Sequence, residues 1–146
     1  VAQALEETSW PGRFEVVSRN PLMILDGAHN PHAIKALLAT LEERFADYHK
    51  EILFTCIKTK ALEYMLDLLE ILPDTELTLT RFDDGRATDE EVLKKVAYSR
   101  NLSYQSWQAF LDQNMIDDEE KKTVRIVTGS LYFLSQVRAY LMERKN

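Results

Sequence analysis

A carboxylate and an imidazole come together where a predicted strand meets a predicted helix. The segment Asp26-Gly27-Ala28-His29-Asn30-Pro31 follows an apolar run at residues 21–25 and precedes a helix that Pro31 can open. In open α/β sheets, ligands bind at the carboxyl ends of the strands, and a helix N-terminus offers unpaired N–H groups suited to phosphate. The segment therefore predicts a nucleotide or phosphate site. In the alternative interpretation, Asp26 only caps a turn and His29 is a surface residue.

Two glycine turns are predicted at the same edge of the sheet. Gly27 and Gly129 each follow a predicted strand directly, and Ser130 comes next after the second. Glycine allows the backbone to approach a ligand closely. Taken singly, each can be an ordinary turn glycine, but two such turns on one edge favour a composite site.

Other polar residues could extend this site. Lys58 and Lys60 follow the second buried strand, where a lysine can bind a carboxylate or phosphate as a point charge, or simply lie in solvent. Asp26, His29 and His32 have a spacing of three that a metal could use, but no fourth ligand is evident, so we predict no metal site. Neither G-x-x-x-x-G-K-[ST] nor G-x-G-x-x-G is present. The main phosphate cradle of such a site is therefore expected elsewhere.

Strand and helix signals alternate along the chain. They predict an α/β fold with three layers, in which a Rossmann-like, doubly wound, mainly parallel sheet carries one antiparallel edge strand. Strands are predicted at residues 14–18, 22–25, 51–57, 75–82 and 123–128, and helices at 31–45, 62–69, 88–96, 104–115 and 131–143. Loops are predicted at 83–85 and at the charged run 117–122.

The predicted helix after the 83–85 loop begins with a capping-box pattern. Thr88 would cap the helix, and Glu91 would reach back to the Thr88 backbone. Its buried face is predicted to be Val92, Leu93 and Val96.

The composition is that of an ordinary globular domain, with 45% hydrophobic and 29% charged residues in a chain of 146. The net charge of -6 disfavours a nucleic-acid partner. No apolar run is long enough to cross a membrane, and no leader is recognisable, so we expect a cytoplasmic protein. The single cysteine, Cys56, lies in an apolar run and is predicted to be a buried, inert thiol. Residues 1–9 are interpreted as the end of an interdomain linker and residues 10–146 as one domain of a longer protein.

Three motifs occur in a fixed order: Trp10-Pro11-Gly12-Arg13-Phe14-Glu15-Val16, Leu25-Asp26-Gly27-Ala28-His29-Asn30-Pro31 and Thr128-Gly129-Ser130-Leu131-Tyr132. In this order they resemble the C-terminal domain of folylpolyglutamate synthase and the related bifunctional dihydrofolate synthase, which belong to the Mur ligase superfamily. The resemblance runs from about residue 10 to residue 140, nearly the whole chain.

The resemblance implies an ATP-dependent amide ligase that acts as a monomer. In such enzymes an N-terminal P-loop domain holds ATP and Mg²⁺ and phosphorylates the γ-carboxyl of a folate, and the amine of L-glutamate attacks the acyl phosphate. The C-terminal domain completes the site and is inactive alone. By motif, Arg13 would neutralise ATP phosphates, Asp26 would contact the ribose or help to order the nucleotide, and His29 would be catalytic, near the transferred phosphoryl group of ATP. The implied glutamate-binding residues are Ser130, Lys58 and Asn30.

One segment departs from the family pattern. Where the family usually has a G-x-L-K-D-K-D-like stretch, this chain has Thr55-Cys56-Ile57-Lys58-Thr59-Lys60-Ala61, which keeps both lysines but neither the glycine nor the aspartates. The alternative function is therefore a stand-alone or degenerate nucleotide-binding or protein-interaction module without ligase activity. A P-loop domain encoded upstream would distinguish the two.

Overall fold

The structure, a computed structural model, describes residues 12–113 and 122–144. The strands are β1 (Glu15–Arg19), β2 (Leu22–Asp26), β3 (His49–Phe54), β4 (Thr75–Leu79), β5 (Ser103–Tyr104) and β6 (Thr123–Thr128). The helices are α1 (Pro31–Arg44), α2 (Leu62–Ile71), α3 (Glu90–Arg100), α4 (Trp107–Asp112) and α5 (Leu131–Arg144). The predicted linker at residues 1–9 and nearly all of the predicted loop at 117–122 lie outside the described residues.

The six strands form one sheet in the order β1-β2-β6-β3-β4-β5. All neighbours are parallel except β1 and β2, which are antiparallel at one edge. The predicted mainly parallel sheet with an antiparallel edge strand is therefore confirmed. Strand β6 lies in the centre and all of its residues are buried. Asp26 pairs with Thr128, so the carboxyl ends of β2 and β6 lie side by side.

Helices cover both faces of the sheet, which confirms the three-layer architecture. On one face α1, α2 and α3 contribute Ile34, Leu66 and Leu93 to a core with the strands. On the other face α4 and α5 contribute Trp107 and Leu134 to a second core. Parallel strands covered on both faces are expected to be apolar, as residues 22–25 of β2 are, whereas β6 is fully buried but also contains Arg125. Among the described residues, no helix combines the length and the apolar character that crossing a membrane requires.

The helix after β2 forms as the sequence predicts. The Oδ1 atom of Asn30 accepts a hydrogen bond from Ala33 N at 2.8 Å, and Pro31 occupies the first turn. Ile34, Leu37 and Leu41 are buried at the spacing of one helix face. These local signals fix the direction in which the chain leaves β2, and they therefore position His29.

The capping box predicted at Thr88 is wrong. Helix α3 begins at Glu90 after the N-cap residue Asp89, whose side chain makes no capping bond. Thr88 is buried and its hydroxyl donates to the carbonyl of Cys56 at 2.9 Å, so a tertiary contact replaces the cap. The buried face was also partly misassigned, because Val92 is 42% exposed while Leu93 and Ala97 are buried.

The helix predicted at residues 104–115 begins later. Ser103 and Tyr104 form β5 beside β4, and α4 starts at Trp107 after the N-cap Ser106, whose Oγ accepts from Ala109 N at 3.1 Å. The end of the predicted helix lies outside the described residues. Cys56 follows β3 and is 1% exposed, and burial raises the pKa of its thiol, as expected for an inert cysteine.

Candidate functional site

Asp26, the last residue of β2, ties two turns together. Its Oδ2 accepts a hydrogen bond from Phe14 N at 3.0 Å and its Oδ1 accepts one from Ala28 N at 2.9 Å. Desolvation raises the pKa of this partly buried carboxyl, although both backbone bonds and the nearby Arg13 charge act in the opposite direction. Asp26 is thus a turn-holding residue in this structure. Each oxygen retains a second lone pair, so its contact with a ribose stays a prediction.

The two turns approach each other at glycines. Gly27 N donates to the carbonyl of Gly12 at 2.5 Å, and Gly12 has a φ of +81°. A Cβ at Gly12 would lie 2.6 Å from Cδ2 of Leu131, and a Cβ at Gly27 would also collide with Leu131. Sequence reasoning attributed the small size of Gly27 to a ligand. In the structure, Leu131 occupies that space.

Arg13 and His29 are exposed on these two turns. Within residues 12–113 and 122–144, the Arg13 guanidinium forms neither a hydrogen bond nor an ion pair with another residue. The Nδ1 atom of His29 lies 3.0 Å from the carbonyl of Gly27. Because a carbonyl can only accept, we assign the hydrogen to Nδ1, which leaves Nε2 available to another partner. A guanidinium and an imidazole nitrogen are therefore presented together.

A groove of about 820 Å³ holds these residues. Arg13, Asp26 and His29 lie at one end, and the groove continues along α1 past Ala36 to Arg44. Its size is within the range of pockets that bind small ligands. The structure thus places the three predicted ATP-binding residues in one groove at the carboxyl edge of the sheet.

The predicted glutamate-binding residues are arranged differently. Ser130 is 2% exposed, and its Oγ accepts hydrogen bonds from the amides of Tyr132 at 3.2 Å and Phe133 at 3.4 Å, so it caps α5. Asn30 caps α1 but is exposed. Lys58 is exposed beyond β3, with its Nζ 3.7 Å from Oδ1 of Asp89. All three lie at the carboxyl edge, but none of them lines the groove.

Gly129 allows a close approach of two strands. It has a φ of +120°, and a Cβ there would collide with the backbone carbonyl of Thr55 after β3. The glycine predicted after β6 therefore serves the backbone packing that places Ser130.

Sequence reasoning missed three residues around the site. Leu131 packs over both glycines, Glu15 contacts the turn before β1, and Arg86 stacks on the ring of Tyr132 at 3.6 Å beside Ser130. Leu131, Tyr132 and Glu15 lie within the three motifs, which was the available signal. Arg86 lies in a loop that carries no such pattern.

Metal-type ligands come together near the amino ends of the strands instead. Single ligand atoms of His49, Glu51 and Glu76 lie within 4.8 Å of one another. Two of these residues have other partners, since His49 Nδ1 is 2.8 Å from Asp74 and Glu51 is 2.9 Å from Arg125. No sequence pattern predicted this cluster, which lies toward the opposite end of the strands from the glycine turns.

The sequence and the fold match a known protein family. The chain belongs to the family described as Mur ligase, glutamate ligase domain, which matches residues 12–131. The resemblance to folylpolyglutamate synthase and dihydrofolate synthase is confirmed as well. The chain is 33% identical over 140 residues to dihydrofolate synthase/folylpolyglutamate synthase of Bacillus subtilis, covering 94% of this chain and 32% of that protein. It is 30% identical over 146 residues to folylpolyglutamate synthase of Lacticaseibacillus casei, covering 100% of this chain and 33% of that protein.

Solved structures of such synthases have a fold similar to that of this chain. The crystal structure of bifunctional folylpolyglutamate synthase/dihydrofolate synthase from Yersinia pestis, complexed with AMPPNP and Mn ion, is similar with a TM-score of 0.73 at 30% identity. The similarity covers 96% of this chain and 33% of that one. Folylpolyglutamate synthase of Mycobacterium tuberculosis, complexed with ADP and AMPPCP, gives a TM-score of 0.75 at 25% identity, over 90% of this chain and 32% of that one. The chain spans about a third of the length of these relatives.

Proposed function

We propose that this chain is the C-terminal domain of an ATP-dependent ligase that adds L-glutamate to the γ-carboxyl of a folate through an acyl phosphate. The proposal rests mainly on the observation that Arg13 and His29 are both exposed and line the same groove. The chain also matches about one third of the length of a folylpolyglutamate synthase. The chain would complete the ATP site of an N-terminal P-loop domain and be inactive alone.

Arg13 and His29 have the chemistry needed to bind a nucleoside triphosphate. A guanidinium binds phosphate oxygens in a bidentate manner, and Arg13 is free to do so because no described residue forms an ion pair with it. His29 is oriented by the carbonyl of Gly27, so its Nε2 can face the transferred phosphoryl group. Fixed groups of this kind stabilise charge that develops in the transition state.

ATP would supply the phosphoryl group that activates the folate carboxyl, and Mg²⁺ would be held mainly by the P-loop domain. In support, Asp26 already accepts two backbone hydrogen bonds, and one carboxylate cannot supply the several oxygen ligands that Mg²⁺ takes. Asp26 would instead contact the ribose while it holds the two turns in place. Related structures complexed with AMPPNP and Mn ion or with ADP support ATP and a divalent metal as ligands of the whole enzyme.

Lys58, Ser130 and Asn30 would bind L-glutamate. The Lys58 ammonium is 60% exposed and its contact with Asp89 is long, at 3.7 Å, so a substrate carboxylate can replace Asp89 at little cost. Ser130 would act from the start of α5, where its hydroxyl already organises the first amides. We also propose a cytoplasmic monomer without a nucleic-acid partner, on the basis of the net charge of -6 and the single buried thiol.

The test compares this chain with the full-length protein that the proposal requires. We expect ADP release from the full-length protein that depends on both folate and glutamate, and no ADP release from purified residues 1–146. Turnover by the isolated chain would contradict the proposal. A full-length protein that binds nucleotide but shows no folate-dependent turnover would favour the alternative function, a nucleotide-binding module without ligase activity.

A further inference from the structure

Glu15 and Arg138 connect the turn of Arg13 to helix α5. The Oε1 atom of Glu15 accepts two hydrogen bonds, from Gly12 N at 3.1 Å and from Nη2 of Arg138 at 2.7 Å. The two side chains are 27% and 33% exposed. Burial opposes ionisation of Glu15, but the bonds from Arg138 and Gly12 prevail and lower its pKa. The carboxylate is therefore held charged, next to the turn that carries Arg13.

This turn needs contacts from outside itself. Gly12 has a φ of +81° and Phe14 a φ of +46°, and a left-handed conformation is unfavourable for a bulky residue such as Phe14. Among the residues that the structure describes, four contacts hold the turn. They are the bond from Gly12 N to Glu15, the bond from Phe14 N to Asp26, the bond from Gly27 N to Gly12 O, and the packing of Leu131 over Gly12.

Helix α5 supplies two of the groups behind these contacts. Leu131 is its first residue and Arg138 lies seven residues later, which places both on the same helix face. Ser130 caps the same helix. One rigid element therefore links the turn of Arg13 to the start of α5.

We propose that Glu15 and Arg138 are positioning residues for Arg13, which keep its guanidinium at the groove without contacting a substrate themselves. This inference rests on the proposed function, because that function assigns Arg13 to the phosphates of ATP. Losing either residue would let the turn relax and would move Arg13 away from its phosphate partner.

The first test measures KM in the full-length protein. Glu15→Ala and Arg138→Met remove the ion pair, and we expect KM for ATP to rise about 3–10-fold while KM for glutamate stays within about twofold. Glu15→Gln keeps an oxygen that can accept both bonds and should restore most of the affinity for ATP. The matched control is Arg144→Gln, because Arg144 pairs with Asp112 at 2.7 Å on the same helix but away from the turn. It should leave both KM values unchanged.

A double-mutant cycle shows whether the effect passes through Arg13. In an Arg13→Ala background, Glu15→Ala should add less than about twofold to KM for ATP, because the group that it positions is gone. Full additivity of the two changes would overturn the inference. An unchanged KM in Glu15→Ala and Arg138→Met, with a raised KM in Arg13→Ala, would also overturn it while leaving the proposed function intact.

Hydrogen exchange tests the positioning without any activity. The Phe14 amide bonds to Asp26 and not to Glu15 or Arg138, so it reports on the turn as a whole. Arg138→Met should speed its exchange about threefold or more, and Arg144→Gln should not. Unchanged exchange in Arg138→Met would overturn the inference. Absent ligase activity in the wild type would overturn the proposed function alone, because this exchange test would still decide whether Arg138 holds the turn.

Discussion

Near the amino ends of the parallel strands, partly buried charged side chains pair with one another, whereas at the carboxyl edge Asp26 holds backbone amides and Arg13 and His29 remain exposed. His49 pairs with Asp74 at 2.8 Å and Arg125 pairs with Glu51 at 2.9 Å near the amino ends. At the opposite edge, Asp26 accepts hydrogen bonds from two backbone amides and so holds the turn that contains Arg13. Arg13 itself lines the groove. The two regions thus use similar residue types for different purposes.

This difference separates stabilising charges from ligand-binding charges. A half-buried ion pair is costly to break, because its remaining partner is left without compensation. By contrast, removing an exposed cationic side chain from a turn that is held by backbone hydrogen bonds costs little unfolding free energy. Such a side chain is also available to a ligand. Variants near the amino ends should therefore change stability, and variants of the exposed groups at the carboxyl edge should change activity.

The largest effect on stability is expected from Gly129→Ala, which would disturb the backbone packing at the carboxyl edge of the sheet. A Cβ at φ +120° collides with the carbonyl of Thr55, so backbone strain of about 1–3 kcal/mol adds to overpacking of about 1–3 kcal/mol. Urea denaturation should show a loss of about 2–6 kcal/mol in the free energy of unfolding. Gly85→Ala is the matched control, because nothing lies within 4 Å of its added Cβ. Equal stability of the two variants would refute this packing account.

His29→Ala tests the ligand-binding side of the comparison. In the full-length protein we expect kcat to fall about 10²–10³-fold, the usual result of removing a group that stabilises transition-state charge. Because His29 is exposed, the melting temperature should change little. Unchanged kcat together with unchanged melting temperature would remove His29 from the mechanism.

Arg125→Gln tests the stabilising side. Arg125 has a side-chain exposure of only 3%, stacks on Phe110 and pairs with Glu51, so its loss should cost about 3 kcal/mol of unfolding free energy. KM for ATP and for glutamate should stay unchanged at temperatures where the variant is folded. A large change in either KM without a stability loss would show that the two edges are not separate in function.

Ser130→Ala lies between the two cases, because Ser130 caps a helix at the carboxyl edge. Loss of the cap should lower the free energy of unfolding by about 1 kcal/mol. The proposed function also predicts that KM for glutamate rises about 10–100-fold, while KM for ATP changes little. Ser106→Ala removes a similar cap from α4 and should lower stability alone. If both variants lose only stability, Ser130 is a capping residue and does not bind glutamate.

The smallest effect concerns an exposed pair in the loop before α3. Bonds from Arg86 lower the pKa of Asp84 to about 2. A carboxyl with a lowered pKa stabilises the folded state above its unfolded pKa of about 3.9 and loses that contribution as the pH falls through about 2. Acid unfolding of Asp84→Asn should therefore be slightly less steep between these values. A stability difference between the wild type and Asp84→Asn that does not shrink as the pH falls from about 4 to about 2 would point to another cause.

Local sequence signals predicted the parts of the fold that depend on neighbours in sequence. The apolar strand β2, the Asn30 cap and Pro31 together predicted the turn that carries His29, and the structure confirms that turn. Thr88 failed as a cap because the carbonyl of Cys56, 32 residues away in sequence, accepts its hydroxyl. Strand β5 has only two residues and is defined by its pairing with β4, so no periodicity could indicate it.

The predicted site residues show the same limit. The motifs brought Arg13, Asp26 and His29 to one edge, but they could not show that Asp26 bonds to the amide of Phe14. The Glu15–Arg138 pair spans 123 positions and depends on how α5 packs. Contacts between residues so far apart in sequence depend on how the sheet and helices assemble. A pattern within one segment cannot predict them.

The central place of β6 has a consequence for biosynthesis. Of the six described strands, β6 is the last in the chain, yet it separates β2 from β3 in the sheet. Without β6, the β1–β2 pair and the β3–β4–β5 group share no strand pairing, so β2 and β3 each have an open hydrogen-bonding edge until residues 123–128 have been synthesised. Open edges are templates for pairing with other chains. A nascent or truncated chain that stops before β6 should therefore be prone to aggregation and should depend on chaperones far more than the finished domain.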